Sequence, residues 1–513
     1  MSSFEPGTAP PGGPAFAAPR PGSETVLHID LLPVDDWPDR LRDLRRRDGA
    51  VFVDLFGGPV SPARTTALTV LLARPDQQDW LALRDWIAPE AGYPSLTSVI
   101  PAADWYEREL FETHHVAAVG HPHLHPLGHG ADVAADRLLA DLPLAPATAG
   151  VVDLPLGPVR SGIVESGHYT LRSVGEQILD VRLQLAYKHR GVETMATNLS
   201  WSLLPLLVER ISGTDAVAHG LACAAAIEML TGQVPTPRAH GLRAIAAELE
   251  RLHDHVAFQA DLCQATGLAV AQAQFEIVRE RLLRLAGRLV GHRYLFGYVQ
   301  PGGVATDFDA DALADLTQTV SDARRDIRQL GAMVAASGSH QDRLQGTGRV
   351  TPEDAANLAL TGPVARASGL DVDARRDLPY GAYAGAAVPV ALARGGDAAA
   401  RATVRLEEAL NAADLILELA DRLPRGPATV PQALGPTPLP PSTVGLGWTE
   451  GSRGTEVHWI ETDAAGDIVR YRVRSASFAC WQAFARSIPG GNILTDFPII
   501  EQSFGLSFAG SDR

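Results

Sequence analysis

RAHGLRAIAAELERLHDHVAFQADLCQAT, residues 238–266, brings an apolar side chain back every three or four positions over many turns. That is the period of an α-helix with a buried face, and the run is too long for a strand. Pro235 and Pro237 stand just ahead of it as a start signal. Residues 198–231, 271–296, 309–336 and 398–422 carry the same spacing, and Gly302-Gly303 follow the third of these runs as a turn. Helices of this length in succession predict a bundle.

Outward from the bundle the text alternates. VVDLPLGPV (151–159), SGHYTLRSVG (166–175) and QILDVRLQLAYKH (177–189) read as strands with turns, and TEVHWIET (455–462) and DIVRYRVRSA (467–476) return to that pattern after the last long helix. Near the N-terminus, TVLHIDLLPVDDW (25–37) reads as a strand and DRLRDLRRRDG (39–49) as a short charged helix. AVFVDLFGG (50–58) and ALTVLLARP (67–75) follow as apolar runs of strand length. Residues 1–23, rich in Pro, Gly and Ala, are expected to be a disordered tail. The expected fold is therefore α+β: a small α+β domain over 24–126, a linker over 127–150, and a large domain over 151–513 built on a long-helix bundle with β flanks.

The chain has 513 residues, with 60 acidic against 44 basic side chains and a formal charge of −16. That balance argues against a nucleic-acid partner and against a polybasic membrane anchor. The three cysteines, Cys223, Cys263 and Cys480, lie far apart, so neither a disulfide framework nor a CxxC metal knuckle is expected. No stretch reads as a signal peptide or a membrane span, which places the chain on the cytosolic side.

Several constellations could carry chemistry. His114, His115, His121, His123, His125 and His129 crowd one segment, but the Pro and Gly between them fix no metal geometry, and a solvated loop is the simpler reading. Glu250 and His253 form a Glu-x-x-His pair of the kind di-iron bundles use. The second pair such a site needs is missing from the bundle, so buried hydrogen bonds or ion pairs between helices are expected instead. Tyr187-Lys188-His189-Arg190-Gly191-Val192-Glu193 gathers ionisable groups at a strand-to-helix transition, as a polar cavity or a structural network would. No GxGxxG follows a strand, and there is no GxxxxGK[ST] or GxSxG, so nucleotide binding and an esterase-type nucleophile are not expected.

Together these motifs resemble a known family. DWYERE (104–109) with the Gly-His-Pro turn at 120–122 is similar to the small peripheral-arm subunit of complex I. LGPV (156–159), ESGHY (165–169), YKHRGVE (187–193), ELERLHDH (248–255), GHRYLFGYVQPGGV (291–304), RRDLPYGAY (375–383), SRGTEVHW (452–459) and NILTDFPIIEQSF (492–504) continue the likeness. They resemble the large subunit of membrane-bound [NiFe]-hydrogenases and its complex I relative that lines the quinone cavity. The fusion of the two looks like the formate-hydrogenlyase and hydrogenase-4 type.

The departures matter most. Where such hydrogenases hold nickel and iron with four cysteines, this chain aligns Ser212, Asp215, Ser507 and Gly510. Soft thiolates select nickel, so the resemblance implies no metal centre here and no hydrogen turnover. Glu165 and Arg453 match the glutamate that passes protons from the metal site and the arginine above it, and Gly213 and His219 also match. The quinone-binding tyrosine and histidine of the complex I relative are replaced by Gly213 and a residue near Val164. What the resemblance implies is a subunit of a complex I-related or hydrogenase-related oxidoreductase, shaping an acceptor cavity for a quinone-like molecule and for proton coupling. No cofactor is expected on this chain, and an iron–sulfur cluster is expected in a small partner subunit. An integral membrane subunit and antiporter-like membrane subunits are expected beneath it, with the chain peripheral on the cytoplasmic face. Glu165, Asp215, His219 and Arg453 are the catalytic candidates, and His189, Arg190 and Glu193 the cavity candidates. The alternatives are a redox-silent coupling subunit and a hydrogenase with unusual nickel ligands.

Overall fold

In a computed structural model of the chain, residues 27–60, 65–128, 150–160, 165–187, 189–429 and 438–513 are described. The expected tail at 1–23 and most of the expected linker lie outside them. The first domain is a four-stranded sheet, β1 (Leu27–Leu31), β2 (Val51–Val60), β3 (Thr66–Arg74) and β4 (Asp79–Ile87), with helices α1 (Trp37–Arg47) and α2 (Asp104–His114). Its order is β1-β4-β3-β2, with β1 parallel to β4 and the other neighbours antiparallel. The sequence reading passed over β4, whose DWLALRDWI carries charges that blur the pattern. β3 is buried from Thr66 to Ala73 because both of its faces are covered. Leu68, Val70 and Leu72 pack with Leu41 of α1 and Tyr106 of α2, while Leu71 and Ala73 pack with Leu446 and Trp459 of the second domain.

The second domain opens with a three-stranded meander, β5 (Val151–Leu156), β6 (His168–Val174) and β7 (Gln177–Gln184). Short helices α3 (Val192–Thr197) and α4 (Leu204–Val208) lead into the bundle of α5 (Ala216–Thr231), α6 (Pro237–Ala265), α7 (Ala269–Val290), α8 (Ala310–Ala335) and α9 (Ala398–Asp421). α6 is the central helix. Thr236 caps it by accepting from the Ala239 N–H, with Pro237 in the first turn, as the sequence predicts. Its apolar residues, among them Leu242, Ile245, Leu249, Leu252 and Val256, share one core with Phe275, Leu282, Val320, Ile327 and Ile416 of the neighbouring helices.

Two helix expectations need correction. Residues 198–231 are not one helix: the chain leaves α4 at Glu209 and re-enters at Ala216, because Ser212-Gly213-Thr214-Asp215 favours a turn over a helix interior. The run at 271–296 stops at Val290, where Gly291 takes a left-handed conformation with φ +85° that ends the helix.

A second antiparallel sheet, β8 (Val444–Glu450), β9 (Thr455–Thr462) and β10 (Ile468–Arg474), lies against α5. The close approach requires glycine: a Cβ on Gly447 would lie 1.9 Å from the Ala222 carbonyl oxygen. Ser475 then caps α10 (Ala476–Ser487), so the strand-like run expected over 467–476 ends at Arg474. α11 (Phe497–Phe504) and the one-turn α12 (Phe508–Ser511) complete the chain's path back to the bundle. Among the described residues, no helix is long and apolar enough to cross a membrane.

Candidate functional site

The break between α4 and α5, the β8–β9 turn and the segment between α11 and α12 meet at one end of α6. There they enclose a cavity of about 610 Å³. Its lining includes Glu165, Ser212, Gly213, Thr214, Asp254, Arg405, Arg453 and Ser507. Segments more than 300 residues apart in sequence thus form one floor.

Arg453 organises that floor. Its guanidinium donates to Asp215 Oδ2 at 2.8 Å, to Thr214 Oγ1 at 2.6 Å, to Asp254 Oδ1 at 3.3 Å and to the Gly505 carbonyl at 2.7 Å. Ser452 Oγ donates to Asp254 at 2.6 Å. Burial opposes ionisation of Asp254, but Arg453 and then Arg405 outweigh it and hold the carboxyl well below its ordinary value. Arg453 is correspondingly held above its own ordinary value by Asp215 and Asp254, despite its burial.

Opposite, Glu165 is fixed by the C-terminal segment. Ser507 Oγ donates to it at 3.0 Å, and the N–H groups of Phe508 and Ala509 donate at 2.5 and 2.9 Å. The Gly510 N–H in turn donates to Ser507 Oγ at 2.9 Å. Arg190 binds the carbonyls of Arg210, Ile211 and Ala509, clasping together the two segments that carry Ser212 and Gly510.

Glu165 and Arg453 line the cavity, and Asp215 is buried against the Arg453 guanidinium without lining it; the other expected members stand away from it. His189 faces Asp512, which raises its pKa. Glu193 is bound by Arg470, Arg472 and Arg513 behind the floor, and their charges, against burial, hold its carboxyl below the usual range. Arg190 grips backbone, not the lumen. His219 sits on α5 behind Asp215, its Nδ1 3.0 Å from His458 Nε2; burial pushes its pKa down to about 4. These placements correct the reading of a single cavity: His189, Arg190 and Glu193 belong to a structural network. Val164 lies outside the described residues.

The Glu-x-x-His pair is split. Glu250 accepts from the Val217 and Ala218 N–H groups at 2.7 and 3.0 Å, satisfying the first turn of α5 as an interhelical bond. His253, one turn on, lies against the Tyr294 ring instead and has no hydrogen-bond partner among the described residues, contrary to expectation. The histidine segment makes no common site among its described members. His121 pairs with Asp104, and the half-buried His114 lies near Arg470 and Arg472, its pKa lowered to about 4 first by desolvation and then by those charges. His129 lies outside the described residues.

Sequence reasoning missed Asp254, Asp261, Arg279, Tyr294 and Arg405 as cavity residues. One signal was available. Asp254 and Asp261 stand seven apart on one helix, which places both on one face.

Over 463 residues the chain is 32% identical to formate hydrogenlyase subunit 5 of Escherichia coli, a match spanning 85% of this chain and 79% of that protein. The chain belongs to that subunit's family. Hydrogenase-4 component G of the same species is 28% identical over 458 residues, covering 85% of this chain and 78% of its own. NADH-quinone oxidoreductase subunit 4 of Thermus thermophilus is 29% identical over 346 residues, covering 62% and 84%. Residues 32–146 match the respiratory-chain NADH dehydrogenase 30 Kd subunit, and residues 265–442 the 49 Kd subunit, so the two are fused here. A chain from the structure of the membrane-bound sulfane sulfur reductase, an archaeal respiratory membrane complex, shares the fold with a TM-score of 0.67 at 24% identity, over 72% of this chain and all of that one. The chain is thus a subunit of the complex I-related and hydrogenase-related oxidoreductase class.

The donor set does not suit the nickel–iron group of hydrogenases. Ser507 Oγ is engaged with Glu165 and the Gly510 N–H, Gly510 offers no side chain, and Asp215 is bound to a guanidinium. No thiolate stands at any of the four positions.

Beside the floor, Glu209 accepts from the Gly297 N–H at 2.8 Å, and its other oxygen is buried with no hydrogen-bond partner among the described residues. Burial lifts its pKa to about 7. Because the folded pKa exceeds the unfolded one, the folded state binds the extra proton, and stability falls as pH rises from about 4.3 towards about 7. Glu209→Gln, which keeps the Gly297 bond, is expected to remove that slope, up to about 1.4 kcal/mol per pH unit. Urea denaturation across this range measures it.

Proposed function

We propose that this family member works as the large peripheral subunit of a membrane-associated oxidoreductase complex and shapes an electron-acceptor cavity that contains no nickel. The supporting observation is the floor itself: a buried guanidinium–carboxylate cluster, Arg453 with Asp215 and Asp254, where hydrogenase relatives place thiolates. Electrons arrive from an iron–sulfur cluster in a small subunit docked on this chain. A quinone-like acceptor enters the cavity, and the charged floor couples its reduction to proton movement. An integral membrane subunit and antiporter-like subunits lie beneath, with this chain on the cytoplasmic face. His219, His189, Arg190 and Glu193 support the floor from behind and do not meet the acceptor.

Elemental analysis of the chain purified with its partners tests the first claim. Iron at cluster stoichiometry with no nickel is the expected result; stoichiometric nickel on this chain overturns it. Asp215→Ala tests the second, with loss of coupled turnover, a fall of about a hundredfold or more, expected in an assembled complex. A redox-silent coupling subunit tolerates that change, so normal turnover favours the silent reading.

A further inference from the structure

α6 presents a graded face to the cavity. Asp254 lies at the floor, Ala257 and Phe258 follow one turn out, and Asp261 and Gln264 line the wall beyond. Four carboxylates line the cavity, and three have their oxygens engaged. Glu165 is held by Ser507 and two N–H groups, Asp254 by Ser452 and Arg453, and Glu501 by Arg160 at 2.5 and 2.8 Å. Asp261 is the exception. Among the described residues no side chain or backbone group bonds its carboxylate, and the residue is exposed to the lumen.

The charges around it come from several elements. Arg279, whose Nε is buried and unbonded, and Glu276 face it from α7, Asp254 from its own helix, and Arg453 from the β8–β9 turn. Although the side chain reaches the lumen, desolvation by the surrounding walls has the largest effect and raises its pKa to about 6; Arg279 and Arg453 act downward, Asp254 and Glu276 upward. Glu165, Glu501 and Arg405 complete the charged lining and are bonded elsewhere.

We propose that Asp261 is the proton port of the cavity, loading from water at the open side and handing protons through water to the bound acceptor. The inference rests on the acceptor-cavity reading above. A quinone that takes two electrons from the partner's cluster must gain two protons, one on each carbonyl oxygen. For each, the Asp261 O–H bond breaks, a water carries the proton inward, an O–H bond forms on the acceptor, and the carboxylate takes the next proton from bulk water. The floor carboxylates cannot serve in this way, because Asp254 is committed to Arg453 and Ser452. Asp261 acts through water and is a positioning residue for the proton, not a group in contact with the acceptor.

The test uses the whole complex, with reduced methyl viologen as donor and a short-chain benzoquinone as acceptor. Wild-type turnover is expected to decline as pH rises past about 6, when the port is less often protonated. Asp261→Asn is expected to lower turnover about tenfold or more and to flatten the profile, Asp261→Glu to retain the decline, and added imidazole buffer to rescue Asp261→Asn. An unchanged profile in Asp261→Asn overturns the proposal, and so does a loss that imidazole leaves unaltered, since that marks a structural role. Failure of the parent reading looks different: Asp215→Ala then keeps full benzoquinone turnover.

Discussion

Arg453→Ala is expected to abolish acceptor turnover and to cost the folded chain about 3–5 kcal/mol, the usual penalty when one partner of a buried ion pair is removed. The size follows from what the change strands. Asp215 and Asp254 are buried side by side and share this one guanidinium at 2.8 and 3.3 Å. Arg405, 3.7 Å from Asp254, remains but is also tied to the Phe504 carbonyl. The sign with pH is diagnostic. In the wild type Asp254 is held below its unfolded pKa, so its contribution is fully present above that value and is lost only in strong acid. Without Arg453 the folded pKa rises, so the deficit is greatest near neutrality and shrinks as pH falls below about 4. Arg453→Lys keeps one charge but loses the fork that reaches Asp215, Asp254 and Gly505 together, and should recover part of the stability and little turnover. Urea denaturation at several pH values, alongside benzoquinone reduction by the complex, reads both effects.

The second large effect is expected at Arg472, which joins the two domains. From β10 it donates to both oxygens of Asp54 on β2 at 2.9 and 2.8 Å and to both of Glu109 on α2 at 2.9 Å. Arg513 adds a contact to Glu109 at 2.6 Å and to Glu193 at 2.9 Å. Arg472→Ala leaves Asp54 buried beside Glu109 with no counter-ion of its own, and a loss of about 3–5 kcal/mol is expected. Because the cluster lies between domains, limited proteolysis should then release the first domain before the bundle unfolds. Asp54→Asn removes one charge and keeps a hydrogen-bonding oxygen, so a smaller loss is expected. Equal losses for the two variants would show that packing of Leu71 on Trp459, not the ion cluster, holds the domains together.

Much of this was legible in the chain. The period of residues 238–266 specified α6 to within a residue or so at each end, because a helix buried on most sides must repeat its apolar positions. Glu165, Asp215 and Arg453 were reached through resemblance; Glu165 and Arg453 line one cavity, and Asp215 is bound to Arg453. The break after Glu209 was missed because the flanking segments are helical and a four-residue turn barely disturbs the apolar period. His189, Arg190 and Glu193 were assigned to the cavity because charges adjacent in sequence suggest one site. Arginines from β10 and the last residue instead claim Glu193.

What the sequence by itself determined is therefore local and compositional: the long helices, the strand-like flanks, and the absence of four thiolates, all of which depend on residues near one another or on which atoms exist. Which charges neutralise which was decided only by the tertiary structure. Asp215 and Arg453 are 238 residues apart, and Glu165 and Ser507 are 342 apart. A buried charge is tolerated only where a partner reaches it, and no local pattern records that partner. The same holds for Asp261, whose distinction is that no described residue hydrogen-bonds its carboxylate.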